Sequence, residues 1–418
     1  MRKPDIIEYL YLDFDGFFAS VMQQAVPSIR GRPVGIVPFG TNATERTVVI
    51  PCSKEAKVYG CSNVMRVPEA RKLCPDMVFV PQRPDLFRRA HNALLNEISC
   101  EIPIETVKSI DELTCRLDAS GAAKPFELAA RLKDRIARNI GPYITCSIGF
   151  AANRLLAKTA CKIDKPNGAT VWRPEDMPGP LLSLSLEDMS GIGPRMQERL
   201  ARAGIADMRQ LLATQPKQLR ALWGNVNGER MWYALHGYAI SATPTGRGMY
   251  GHARVLPPEW RSLVHAEDCS RLLLTKAARR MRRDGYYARG LTLWLELAGA
   301  RGWVTEITLP SVHDDHSCLT ALKGLWLRAH HSIRPRTRIM RVGVTLGNLI
   351  GAQNRQLDMF RDDDAACQRW ERLTFAIDGL NRKFGKRVVS LGPWTPPPGG
   401  YAGGKIAYTR IPSAEDFW

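Results

Sequence analysis

A multidomain α+β fold is what this sequence predicts, on three observations. The chain has 418 residues, too many for one ordinary core, and typical domain sizes divide it into about two to four. Through residue 178, strand-like and helix-like stretches alternate, as they do in a mixed sheet with helices packed on it. A purely helical stretch at 179–240 then gives way to a second mixture of helix and strand at 250–350.

Composition narrows the class. Hydrophobic residues make up 44% and charged residues 24%, as in soluble globular chains, and no apolar run approaches the ~20 residues of a membrane span. Acidic residues interrupt the apolar part of the N-terminal MRKPDIIEYLYLDFDG, so a signal peptide is not expected and a cytoplasmic location is. The ten cysteines are never fewer than nine positions apart, which excludes CxxC pairs and predicts buried, reduced thiols. Fifty-nine basic against 41 acidic residues give a net charge of +18, favouring a polyanionic partner such as nucleic acid.

Each element follows from local pattern. YLYLDF at 9–14 predicts a buried strand that carries carboxylates at its end, FFASVMQQAV a helix, and RPVGIVPF at 32–39 a second strand. SKEAKVYG and PEARKLCP are short helical pieces punctuated by Gly60, Pro68 and Pro75, so 26–79 reads as a small inserted module. From residue 80 come helix LFRRAHNALLNEISC, a strand pair around SIDEL, helix PFELAARLKDRIARNI, strand ITCSIGFA and helix NRLLAKTACKI. In HAEDCSRLLLTKAARRMRRDG, Leu272, Leu273, Ala277 and Met281 fall on one helical face and arginines on the other, followed by strands RGLTLWLEL and TRIMRVGVTL. HDDH at 313–316 reads as an exposed loop without a role, and 351–418 as a polar, Pro/Gly-rich tail without its own core. The last residues, 400–418, carry no functional reading.

Two acidic clusters carry the chemistry. Asp111 and Glu112 are adjacent in an apolar stretch, and in a regular strand they would point to opposite faces, so one site receives both only at a turn, bulge or strand end. Asp13 and Asp15, at i and i+2, are expected on one strand face. Brought together, these carboxylates repel unless hard divalent cations bind among them. Two such ions are what phosphoryl and nucleotidyl transfer needs, one for the attacking hydroxyl and one for the leaving phosphate oxygens.

LDFDGFFASV, KEAKVYG, SIDELTCRLD and SIGFAANRLLAKTACKIDKPNG, in that order, resemble the palm and fingers of bacterial Y-family (translesion) DNA polymerases, and the likeness covers about residues 8–360. The resemblance implies a right-hand architecture: palm 1–25 and 80–178, fingers 26–79, a helical thumb at 179–243 with a helix-hairpin-helix, an α+β little finger at 250–350 and a C-terminal tail at 351–418. It implies an enzyme that adds deoxynucleotides opposite damaged bases with two Mg²⁺ ions. Asp13, Asp111 and Glu112 match the metal-binding carboxylates and Phe14 a backbone-carbonyl ligand. Phe18 falls at the steric gate against a ribose 2′-OH. Lys54 and Lys57 stand where many members carry a tyrosine and an arginine, so the triphosphate grip loses the arginine fork; Lys165 of KPNG matches the palm lysine. Gly16 replaces an aromatic residue common at that position.

Contacts to DNA are expected from Gly191 and Gly193 of SGIGPRMQERLARAGI, whose backbone can approach a phosphate at a helix N-terminus, and from Arg279, Arg280, Arg282, Arg283 and Arg338 of the basic domain. Gln356, Leu357, Asp358, Met359 and Phe360 (QLDMF) resemble the peptide by which bacterial polymerases bind the sliding clamp. The implied partners are primer-template DNA, deoxynucleoside triphosphates, the clamp and regulatory repair proteins, with no membrane. A weak or inactive adaptor that keeps the fold and clamp motif is the alternative, and retention of all three carboxylates argues against it.

Overall fold

The computed structural model describes residues 1–38, 47–240, 246–355, 364–392 and 413. They form two compact units, one up to residue 240 and one from 246 onward.

The first unit begins with β1 (Tyr9–Phe14), α1 (Phe17–Ala25), β2 (Val34–Val37), β3 (Val48–Val49), α2 (Lys54–Val58), β4 (Met65–Arg66), α3 (Val67–Leu73) and β5 (Val78–Pro81). It continues with α4 (Pro84–Ser99), β6 (Ile104–Val107), β7 (Glu112–Arg116), α5 (Ala119–Ala123), α6 (Pro125–Asn139), β8 (Cys146–Ala151), α7 (Arg154–Ile163) and β9 (Ala169–Val171). Four further helices close it: α8 (Pro194–Arg202), α9 (Met208–Leu212), α10 (Pro216–Trp223) and α11 (Val226–Leu235).

Its main sheet has the order β6-β7-β1-β8-β9, antiparallel except for the parallel pair β8 and β9. β1 is central because YLYLDF is apolar on both faces. Leu10, Leu12 and Phe14 enter the core shared with α1, α4 and α6, while Tyr11 joins a second core with Leu156, Ala157 and Ala160 of α7. α7 lies hard against β8: a Cβ at Gly149 would come within 2.1 Å of the Ala157 carbonyl oxygen, so only glycine permits that approach. The 26–79 region has two small sheets, β2 parallel to β5 and β3 antiparallel to β4, around its own core of Val49, Cys52, Val67 and Met77.

The second unit contains β10 (Met249–Val255), α12 (Leu263–Arg283), β11 (Tyr286–Leu297), β12 (Trp303–Val312), α13 (Asp315–Ser332), β13 (Ile339–Gly347), β14 (Ile350–Gly351) and α14 (Asp364–Phe384). Its sheet runs β10-β13-β11-β12, all antiparallel, and Leu291, Leu293 and Leu295 pack beneath α12 and α13.

Three expectations need correction here. The C-terminal region holds a 21-residue helix, α14, that docks on this unit, with Thr374, Ile377 and Asn381 buried. HDDH is its seat, not an exposed loop: Asp314 caps α13, His313 meets Glu371 at 3.3 Å, the Asp315 amide donates to Thr374 Oγ1, and His316 stacks on Trp370 at 3.8 Å. Burial and the Arg282 charge push His313 down to about 4, so it is neutral against Glu371 near neutral pH. Nor do the α12 arginines form one outward face. Arg282 is 8% exposed and bonds Asp315 at 2.7 Å and Asp378 at 2.8 Å. Arg279 lies 3.4 Å from Asp378, and Arg280 donates to the Gly251 carbonyl. Acidic groups of α13 and α14 draw this basic face inward, which periodicity within α12 alone does not reveal. Arg283 and Arg338 are exposed.

Candidate active site

The acidic residues meet at one end of the main sheet because Asp13 of β1 is the direct cross-strand partner of Glu112, the first residue of β7. Asp111 precedes the strand, in the β6–β7 turn, and its carbonyl accepts from the Phe14 amide at 2.9 Å. The adjacent pair thus sits where a turn enters a strand, the arrangement that lets both side chains reach one region. Behind the turn, the buried His91 of α4 places Nδ1 2.7 Å from the Ile110 carbonyl and anchors it in the core.

Asp15 departs from the i, i+2 expectation. β1 ends at Phe14, Gly16 turns the chain at φ 54°, and the buried Asp15 carboxylate accepts from Thr145 Oγ1, Ser147 Oγ and the Asn167 amide at 2.9, 2.7 and 2.8 Å. It stitches the Lys165 loop to the turn after β1. An added Cβ on Gly16 would lie 3.5 Å from the Cys52 carbonyl and 3.7 Å from the Lys54 amide, which shows how closely the start of α2 approaches this turn.

Two lysines face the carboxylates. Lys165 Nζ is 2.5 Å from Asp13 Oδ1, and Lys158 Nζ reaches both Glu112 oxygens at 2.8 and 3.0 Å. Tyr11 OH donates to Glu112 Oε2 at 2.8 Å, and Ser109 Oγ donates to Asp111 at 2.5 Å.

Burial pushes Asp13 up to about 6; Lys165 opposes this, and the charges of Asp111 and Glu112 reinforce it. Burial also raises Asp111 despite the Ser109 hydrogen bond. At Glu112 burial acts in the same direction, but the Lys158 ammonium and Tyr11 hydroxyl outweigh it and hold the group below its usual value. Lys165 is raised: burial disfavours its charge, and Asp13 more than compensates. The donor set of Asp13, Asp111 and Glu112, with the Phe14 carbonyl, is all oxygen and suits a hard divalent cation rather than a softer metal.

The remaining expected residues fall around this centre or away from it. Phe18, 8% exposed, packs edge-on against Phe17 and against Phe87 of α4, at centroid distances of 5.4 and 5.0 Å. Lys54 and Lys57 lie on α2, half-buried and exposed respectively, with Ser53 as the N-cap. Gly191 (φ 102°) and Gly193 occupy the exposed turn that opens α8. Gln356 to Phe360 lie outside the described residues. Sequence reasoning missed Lys158, Tyr11, Ser109 and His91. Two of them carried a signal: Lys158, Lys162 and Lys165 recur at helical spacing, and Tyr11 is two residues before Asp13 on the same strand face.

Comparison with known proteins identifies the family. The impB/mucB/samB family model matches residues 12–162, and the model of that family's C-terminal domain matches 247–359. A DNA polymerase IV from Moorella thermoacetica is 34% identical over 391 residues, 91% of this chain and 94% of that protein. The chain belongs to the impB/mucB/samB family. It is a Y-family DNA polymerase of the translesion type. A second relative of this polymerase, DNA polymerase IV of Pelotomaculum thermopropionicum, is 29% identical over 94% of the chain and 96% of its own length. Among solved structures, a Y-family DNA polymerase chimera of Dbh and Dpo4 aligns with a TM-score of 0.66 at 23% identity, and an insertion ternary complex of Dbh DNA polymerase with 0.55 at 22%. Each covers 82% of this chain and 99% of the matched chain, and they support the fold. Membership in this family brings with it a requirement for divalent metal. Among the described residues, no helix is long and apolar enough to cross a membrane.

Proposed function

We propose that this polymerase extends a primer opposite damaged template bases using Asp13, Asp111 and Glu112, with the Phe14 carbonyl, to hold two Mg²⁺ ions. The observation that carries the reading is the pairing of Asp13 with Glu112 across β1 and β7, beside Asp111 and within reach of lysines. When bound, the ions supply a more acidic primer 3′-OH and neutralise the leaving phosphate oxygens. The protein's own part is to orient the carboxylates and to line the triphosphate with Lys54, Lys57 and Lys165, whose charges favour departure of pyrophosphate. Phe18 stands under the sugar and disfavours a 2′-OH.

The partners in this reading are primer-template DNA and deoxynucleoside triphosphates; a ternary insertion complex of the related Dbh polymerase supports it. Exposed Arg283 and Arg338, with the backbone at Gly191 and Gly193, hold the duplex without reading its sequence. Gln356 to Phe360 bind a sliding clamp, raising the local concentration of an enzyme that otherwise leaves its template. Regulatory repair proteins and a cytoplasmic location complete the reading.

Primer extension on undamaged and abasic templates with Mg²⁺ tests it. Wild type extends both, whereas Asp111→Ala and Glu112→Ala bind DNA without adding nucleotides. A wild-type protein that binds DNA and adds none under any divalent metal would return the chain to the adaptor class.

A further inference from the structure

Asp13 feels the charges of Asp111 and Glu112, like charges that repel until a cation joins them, and two of the three carboxylates are paired with lysines. Among the described residues, no three acidic, histidine or cysteine side chains converge as a ready metal cage. Glu112 is instead bonded through both oxygens to Lys158, and Asp13 through one to Lys165. Both lysines belong to α7 and the turn after it, and Gly149 lets α7 pack closely against β8. Tyr11 OH holds Glu112 Oε2 from the strand side at 2.8 Å, so the carboxylate keeps one anchor whether or not the lysine stays.

We propose that Lys158 is a positioning residue that serves as a resident counter-ion. Its ammonium group holds both oxygens of Glu112 in place before metal binds, and divalent metal enters by exchange for it. The inference rests on the reading of Asp13, Asp111 and Glu112 as cation ligands. No bond is made or broken; one ammonium leaves a carboxylate and swings on its four-carbon stem into solvent, which its 28% side-chain exposure allows. The energetic trade is plain. The ammonium prevents mutual repulsion before metal binds, and its positive charge opposes metal entry, so Lys158 weakens affinity in exchange for order.

A charge-matched control is built into the same helix. Lys162 lies one turn beyond Lys158, and its Nζ donates to the Asp188 carbonyl at 3.2 Å rather than to an active-site carboxylate. Titrating the metal-free full-length protein with Mn²⁺, read by electron paramagnetic resonance without nucleotide or DNA, separates the effects. Lys158→Gln should bind Mn²⁺ about tenfold more tightly than wild type, Lys158→Arg about as wild type, and Lys162→Gln within about twofold. Lys158→Gln should also melt lower than wild type in EDTA and recover with Mn²⁺. Unchanged or weaker binding by Lys158→Gln overturns the proposal, as does equal tightening by Lys162→Gln, which would reduce the effect to overall charge. Wild-type Mn²⁺ binding that survives Glu112→Ala undiminished would overturn the ligand assignment instead.

Discussion

Asp13 and Glu112 face each other directly across β1 and β7, and their carboxyl groups are shifted in opposite directions. The difference lies in their partners. Glu112 has an ammonium on both oxygens and a phenol on one, whereas burial beside two other acids dominates at Asp13.

This asymmetry predicts a metal-dependent acid limb. With Asp13 raised to about 6 from an ordinary 3.8, the metal-free native state binds more protons than the unfolded chain between those values. Its stability therefore falls as pH rises through that window. Below about pH 6 a protonated Asp13 is a poor cation ligand, so primer extension at limiting Mg²⁺ should decline there. Saturating Mg²⁺ competes with the proton and should move the midpoint lower. A midpoint that ignores Mg²⁺ concentration would contradict this assignment.

Asp15 is predicted to matter for folding rather than for metal. Asp15→Ala leaves two hydroxyls and the Asn167 amide without their buried acceptor and should cost about 3 kcal/mol, read from denaturant unfolding. Mn²⁺ affinity of the folded fraction should stay within about threefold of wild type.

The arginines of the second unit should divide by burial. Arg282→Ala strands Asp315 and Asp378 without their shared cation and should destabilise the unit by about 3–5 kcal/mol in thermal or urea melts. Arg338→Ala, on the surface, should leave the melt unchanged. It should weaken DNA binding and reduce the slope of log affinity against log salt by about one.

Phe18 is the fourth test. Phe18→Leu keeps an apolar side chain against Phe17 and Phe87, limiting the packing loss to about 1–2 kcal/mol. If the ring excludes a 2′-OH, incorporation of ribonucleotides relative to deoxynucleotides should rise at least about tenfold. An unchanged ratio would leave Phe18 as core packing.

The sequence made the centre readable because strand chemistry is local. Apolar residues on both faces of YLYLDF mark a central strand, and adjacent acids in SIDEL force a turn into a strand. What it hid was interaction at a distance. Nothing within α12 reveals that Asp378, 96 positions from Arg282, turns basic residues inward. Nothing within HDDH reveals a helix seated on it. His91 is a lone histidine on an apolar helix face, and its role becomes visible only when α4 lies behind the Asp111 turn. Asp15 shows the limit of strand periodicity, which holds only while the strand lasts.

The seating of α14 also orders events on the ribosome. The first unit has all of its described residues by position 240 and is free to fold while the rest is still being made. The second unit waits for Thr374, Ile377 and Asp378, which are translated after its sheet and its other helices. Until then the Arg282–Asp315 pair lacks Asp378, so a chain released early would carry a completed first unit joined to a second unit without its last helix.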